Sequence, residues 1–139
     1  MSYDKANQRI IMGDDIIDGA WEMRMSDGGR RTISKSEGDK IGGGIDLTFP
    51  TSVATDANQC FIVDTALIAK VNLNNGDRSQ LIDAKNGGFG DIFLNPDSSS
   101  LYISTGESIL KMSPVKGAST VVSSAAVGTG ASLHNMADF

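Results

Sequence analysis

One arrangement of strands and turns occurs three times along the sequence, and this repetition restricts the chain to few folds. Each copy consists of a short apolar run, a strand in which apolar and polar residues alternate, a turn that contains glycine, and a further strand. The glycine turns span 26–29, 74–77 and 115–118. Glycine beside Asn or Asp between alternating strands is a strong hairpin signal. The repeat therefore predicts sheets of consecutive antiparallel strands.

The three copies align strand by strand. The first run of each copy spans 9–13, 60–64 and 100–104. The alternating strand spans 20–25, 67–73 and 108–112, and the strand after the glycine turn spans 30–34, 78–82 and 119–123. One more strand precedes the second and third copies, at 49–55 and 89–95. Four strands per copy, here labelled A to D, at a spacing of about 40 to 50 residues are typical of β-propeller blades.

A single β-sandwich with coincidental hairpins is the competing interpretation. The order of turn, strand, strand, glycine turn and strand occurs three times, which favours the propeller. Sixteen glycines against three prolines also indicate frequent turns. The best helix candidate, 15–25, contains Gly19 and then alternates with a period of two. We therefore expect an all-β chain with almost no helix.

The first copy shows no strand A before its turn at 3–8, whereas segment 133–139 has the pattern of a strand A with nothing after it. This predicts one half-propeller domain over 1–139. Its blades span 3–47, 48–88 and 89–131. Three blades do not close a ring, because propellers have about four to eight.

We therefore predict a homodimer that closes six blades. In this dimer, segment 133–139 of each chain is the innermost strand of its partner's first blade. The alternative is that the sequence is a fragment of a longer propeller. The Met directly before the first turn and the end directly after the last strand favour a natural half.

The stretches "FPTSVATDANQCFIVDTALIAKVNLNNGDRSQLI" and "FGDIFLNPDSSSLYISTGESILKM" carry a family resemblance. Both resemble repeats of the six-bladed propellers grouped around NHL repeats, strictosidine synthase and the senescence marker protein/gluconolactonase family. In metal-dependent members of that group, Asn, Asp and Glu at the strand A starts hold a divalent ion at one mouth of the central channel. Oxygen ligands of this kind suit calcium or magnesium.

Carried over residue by residue, the metal-ligand positions of this family fall on Thr51, Gly90 and His134. Asp91 and Asn135 each come one step later. This departs from the family pattern, so we assign no metal or cofactor. A calcium or magnesium ion in the channel stays an open alternative.

The predicted ligand site is this channel mouth, lined by Thr51, Asp91, His134 and Asn135. The alternative for His134 is an ordinary surface or core histidine. Four acidic residues are expected on the rim: Asp14, Asp15, Asp64 and Glu107. A negative mouth favours a small cationic or hydroxyl-rich ligand over a phosphate.

No strong catalytic motif is present, and Gly-x-Ser-x-Gly in particular does not occur. The sequence therefore favours a non-enzymatic scaffold that binds a small molecule or a protein. The alternative is a divalent-metal-dependent, lactonase-like hydrolase.

Composition limits the partners and the location. A net charge of −5 and a pI near 4.6 argue against a nucleic-acid surface. No apolar stretch approaches the roughly 20 residues that cross a bilayer, so no membrane partner is expected. Cys60 is the single cysteine, which excludes an intrachain disulfide. We expect a soluble cytoplasmic protein in which Cys60 is buried.

Overall fold

The computed structural model describes residues 1–65, 67–83, 88–124 and 126–127. These residues form strands, turns and loops, with no helix among them. The twelve strands in chain order are β1 (Ser2–Asp4), β2 (Arg9–Asp14), β3 (Gly19–Arg24), β4 (Arg30–Lys35), β5 (Pro50–Thr55), β6 (Gln59–Asp64), β7 (Leu67–Asn72), β8 (Arg78–Asp83), β9 (Phe89–Leu94), β10 (Leu101–Thr105), β11 (Ser108–Met112) and β12 (Ser119–Ser124).

Three four-stranded antiparallel sheets contain all of these strands. The first sheet is β1–β4, the second is β5–β8 and the third is β9–β12, each in chain order from the innermost strand to the outermost. The prediction of an all-β chain with three four-stranded units is confirmed. No described segment forms a helix of the length and apolarity that a membrane crossing needs. The cytoplasmic location stays a prediction.

The core lies between the sheets, because each sheet places its apolar residues on the face that meets a neighbour. Ile11 and Ala20 of the first sheet pack with Val53 and Ile62 of the second in one buried cluster. A second buried cluster joins the second and third sheets. Its members are Ala54, Phe61, Val63, Ile68, Ile92, Leu101, Ile103 and Met112.

The middle sheet is covered on both faces, so four successive residues of β6, 60–63, are all apolar and buried. Cys60 is fully buried in this strand, as predicted. Burial raises the pKa of the Cys60 thiol to about 12.

The start of the chain corrects one expectation. Segment 3–8 was expected to be a turn with no strand before it, but it begins with β1, whose residues pair with Arg9–Ile11 of β2. The chain itself therefore fills the innermost place along the first half of β2, where a partner's strand was expected. A three-residue strand of Ser, Tyr and Asp has no apolar alternation, so the sequence pattern does not reveal it. Segment 133–139 lies outside the described residues.

Candidate functional site

The predicted mouth is the end of the sheets where the innermost strands β5 and β9 begin and the neighbouring strands β6 and β10 end. The structure brings Thr51 and Asp91 together there. The residues that follow them, Ser52 and Ile92, are joined by a hydrogen bond in which the Ile92 N–H donates to Ser52 Oγ over 3.3 Å. Both residues are exposed. His134 and Asn135, the other two residues predicted for this site, lie outside the described residues.

Thr51 and Asp91 are each held by a different hydrogen bond. The Thr51 hydroxyl donates to the carbonyl of Val63 over 3.3 Å. The backbone N–H of Asp91 donates to Ser104 Oγ over 2.7 Å, which holds the start of β9 in place. The Asp91 carboxylate faces solvent at the mouth, where a ligand can reach it.

Asp14 lies at the rim, at the end of β2, and its carboxylate organises the turn that follows. Oδ1 accepts hydrogen bonds from the backbone N–H groups of Ile16 at 2.8 Å and Ile17 at 3.3 Å. Oδ2 accepts one from the indole Nε1–H of Trp21 at 3.1 Å. This side chain therefore shapes the rim.

Asp64 occupies the same position at the end of β6, but only 2% of it is exposed. Its carboxylate accepts hydrogen bonds from the backbone N–H groups of Thr48 at 2.8 Å and Phe49 at 2.6 Å. The Thr48 hydroxyl adds a third at 3.2 Å. Asp64 therefore anchors the loop that leads into β5 and does not project into the mouth.

Two further carboxylates at this end of the sheets are absent from the sequence prediction. Asp18 lies in the β2–β3 turn and Glu37 in the loop after β4. Burial raises the pKa of Asp18, and the negative charges of Glu37, Asp64 and Asp15 raise it further. The sequence does not indicate that Asp18 and Glu37 lie close together. They stand before β3 and after β4, and only the folded hairpin and the loop after it bring them near each other.

Asp15 and Glu107, the remaining predicted rim residues, are both exposed in B–C turns. The backbone N–H of Glu107 donates to Thr105 Oγ1 at 3.4 Å. Among the residues that the structure describes, no group of three or more His, Cys, Asp or Glu side chains is placed to hold a metal ion.

A groove of about 700 Å³ lies at the opposite end of the innermost strands, away from Thr51 and Asp91. It runs between the ends of β1, β5 and β9 and the turns that follow them. Two exposed aromatic side chains, Tyr3 and Phe93, border it together with Val53, Ala54 and Ile92. The sequence pattern does not reveal this groove, because its wall includes β1.

A network of charged side chains stands beside the groove and joins the first two sheets. Arg9 contacts Asp4 at 2.8 Å and Glu22 at 2.7 Å, and it donates to the carbonyl of Ala57 in the second sheet at 3.1 Å. Arg31 contacts Glu22 at 3.1 Å. These polar groups are therefore paired with one another.

The network also sets the ionisation of its two carboxyl groups. Burial by itself raises the pKa of Asp4 and of Glu22. Hydrogen bonds from Asn7 and Arg9 to Asp4, and from Arg9 and Arg31 to Glu22, outweigh burial, so both pKa values lie below their ordinary range. Both carboxylates are therefore charged at neutral pH.

Solved structures are similar to this chain in fold. No protein-family model and no curated protein matches the sequence. A propeller chain from a crystal structure of a nidogen/laminin complex aligns with a TM-score of 0.74 at 16% identity, over 91% of this chain and 48% of that chain. The extracellular domain of a hybrid two-component system from B. thetaiotaomicron aligns with a TM-score of 0.59 at 12% identity, over 88% of this chain and 16% of that one.

This chain therefore spans about half of the nidogen/laminin structure's matched chain. At these identities the likeness shows the fold alone. Together with the three four-stranded sheets, it establishes an all-β, β-propeller-like fold.

Proposed function

We propose that this protein is a non-enzymatic binding module whose small ligand occupies the mouth at the start of the innermost strands. The observation that carries the proposal is the adjacent, exposed pair of Thr51 and Asp91 on neighbouring innermost strands. Concave sites with a few convergent polar groups are the default ligand sites of proteins. His134 and Asn135 complete the proposed site.

The ligand class follows from the charge at this end of the sheets. Asp91 contributes a solvent-facing carboxylate. Burial raises the pKa of Asp18, and the negative charges of nearby carboxylates add to this rise. A negative mouth attracts a cation and repels a phosphate. The proposed ligand is accordingly a small amine or a hydroxyl-rich molecule.

We also propose that two copies of the chain close a six-bladed ring of the NHL and gluconolactonase kind. Segment 133–139 of the partner then continues the innermost strand beyond β1. Within the described part of the chain, Met12, Gly13 and Asp14 of β2 have no strand on their inner edge. An exchanged segment along this edge hydrogen-bonds to their backbone.

A binding assay with matched variants tests the ligand site. Wild-type protein is titrated by calorimetry with putrescine, spermidine and glucose, and with inorganic phosphate as the repelled probe. We expect an amine or the sugar to bind and phosphate not to bind. Asp91→Asn removes one charge from the mouth and is expected to weaken binding by about tenfold, on the order of 1.4 kcal/mol.

The control is Asp97→Asn, which removes the same charge from the turn at the other end of β9. This variant is expected to bind as the wild type does. The double variant Asp91→Ala, His134→Ala is expected to abolish binding and to leave the dimer intact. Unchanged affinity in both Asp91 variants, or no binding of any amine or sugar, contradicts the proposal.

A further inference from the structure

We infer that the faces of the first and third sheets on which no other described part of the chain packs are the two halves of one more interblade interface, filled by a second copy of this chain, with Val122 of one chain against Gly28 of the other. The inference rests on the two-copy ring proposed above and names the residues that close it.

The first observation is a bulge that recurs in every outermost strand. In β4 the pairing with β3 shifts at Ile33, in β8 the pairing with β7 shifts at Leu81, and in β12 the pairing with β11 shifts at Val122. The extra residue is a branched aliphatic each time. These three positions are therefore structurally equivalent.

Two of the bulges meet a glycine of the next sheet. A Cβ on Gly76 would lie within 3.0 Å of the carbonyl oxygen of Ile33, and a Cβ on Gly117 would lie equally close to the carbonyl of Leu81. Both glycines lie in the turn before the outermost strand and have positive φ, at 78° and 65°. The bulge of one sheet thus packs directly on the glycine turn of the following sheet.

A third bulge and a third turn glycine are present in the chain, but they lie on different sheets, the third and the first. Gly28 is the equivalent turn glycine of the first sheet, with φ of 68°, and no atom of the other described residues lies within 4 Å of its Cβ position. Val122, the equivalent bulge of the third sheet, is 42% exposed. One chain therefore carries both halves of the contact, one on each of its outer sheets.

The uncovered sheet faces match in the same way. Ile10 and Met12 of the first sheet correspond to Cys60 and Ile62 of the second, which form the core against the sheet before it. Met12 pairs with Trp21, which lies on the same face and also has no neighbouring sheet over it among the described residues. The open face of the first sheet is thus the type that accepts a preceding blade.

The open face of the third sheet is the complementary type. Phe93 and Tyr102 pair across β9 and β10, and they alternate with residues buried against the second sheet. They correspond to Ala54 and Phe61, which face the sheet that follows in the second–third interface. This face therefore has the character that meets a following blade.

One specific contact follows from the register. At the first–second interface, the Thr55 N–H donates to Ser2 Oγ over 3.1 Å. Phe93 in the third sheet is structurally equivalent to Ser2 in the first sheet. Tyr3 in the first sheet is likewise equivalent to Thr55 in the second, because the residues of each pair have equivalent partners on the next strand. Phe93 of one chain is thus placed against Tyr3 of the other. These side chains are 59% and 52% exposed in the single chain.

A second copy is the occupant that uses both halves. Each chain offers one accepting and one donating face, so two chains bury all four under a single twofold axis. Six sheets then form the ring, within the range of about four to eight that propellers have. An unrelated protein on one face leaves the other face uncovered.

Two sets of variants test this interface by sedimentation velocity over a dilution series. Gly28→Asn retains the positive φ, which Asn tolerates, and adds a side chain where the Val122 carbonyl is placed. The control Gly38→Asn makes the same change at a φ of 61°, where the Lys35 side chain is the one near neighbour among the residues that the structure describes. We expect wild type and Gly38→Asn to be dimers, and Gly28→Asn to dissociate at least about tenfold more readily.

Cross-linking tests the second contact without requiring dissociation. A mixture of a Tyr3→Cys chain and a Phe93→Cys chain is expected to form a disulfide-linked dimer on mild oxidation, whereas either chain alone is not. A monomeric wild type overturns the two-copy ring and this interface with it. A dimeric wild type with an intact Gly28→Asn dimer and no cross-link overturns this interface alone.

Discussion

Arg9 is the residue on which the buried charges of the first sheet depend. It contacts two buried carboxylates and a carbonyl of the second sheet, and 12% of its side chain is exposed. Removing Arg9 leaves Asp4 without a cation and Glu22 with Arg31 alone, while both carboxylates stay buried. The sequence shows Asp4, Arg9 and Glu22 only as scattered charges, since their meeting requires the strand pairing.

Replacing Arg9 tests the importance of this network. Arg9→Met is expected to lower the free energy of unfolding by about 2 to 4 kcal/mol, because two carboxylates lose their main cation. Arg24→Met is the control, since its pair with Asp27 is exposed. That change is expected to cost less than about 1 kcal/mol. Urea denaturation followed by circular dichroism gives both values, and equal losses in the two variants contradict this account.

The same network predicts an acid dependence of stability. The folded pKa values of Asp4 and Glu22 lie below their ordinary values of 3.8 and 4.5. Their contribution is therefore fully present above the ordinary values and is lost as the pH falls through the lower folded values. Thermal unfolding of the wild type between about pH 6 and pH 3 is expected to show this loss, and Arg9→Met is expected to show a shallower one. Parallel curves for the two proteins contradict the assignment.

Cys60 is a case in which sequence and structure agree at the residue scale. It begins an apolar run and was expected to be buried, and the middle sheet covers it completely. With a pKa near 12, its thiol is almost entirely protonated at pH 8. We expect no reaction with an aromatic disulfide reagent in the folded protein and one equivalent in urea. Fast labelling of the folded protein contradicts the burial.

At the scale of strands and turns, most of the fold is readable from the sequence. The glycine turns and the alternating runs predict the outer three strands of each sheet, and the apolar starts at Phe49 and Phe89 predict two of the innermost strands. β1 is missed because it is short and polar. The site is predicted less well, because loops that are distant in sequence bring Asp18 and Glu37 together.

Asp64 joins the end of β6 to the loop that enters β5 of the same sheet. Asp64→Ala is expected to destabilise the fold by about 2 kcal/mol, because two backbone N–H groups lose a charged acceptor. Asp64→Asn retains one acceptor oxygen and is expected to lose less. Asp46→Ala, in the same loop but with an exposed carboxylate paired to Lys40, is the control and is expected to show no measurable change. Urea midpoints rank the three variants, and an unaffected Asp64→Ala contradicts the anchoring role.

At the scale of the whole molecule, the described residues form a series of three similar sheets, and none of these residues covers the outer face at either end of the series. The two internal interfaces show how such faces pack, through apolar clusters and through a bulge that meets a glycine turn. The proposed mouth and the groove at the opposite end both lie along the innermost strands, so both become parts of one channel when the ring closes. Ring closure is therefore the central claim on which the proposed function depends.

Sedimentation equilibrium of the wild-type protein tests this claim most directly. One chain has a mass of 14.6 kDa. The account predicts a single species of twice that mass at micromolar concentration, because two apolar sheet faces per chain are buried on closure. A stable species with the mass of one chain, over the whole concentration range, contradicts it.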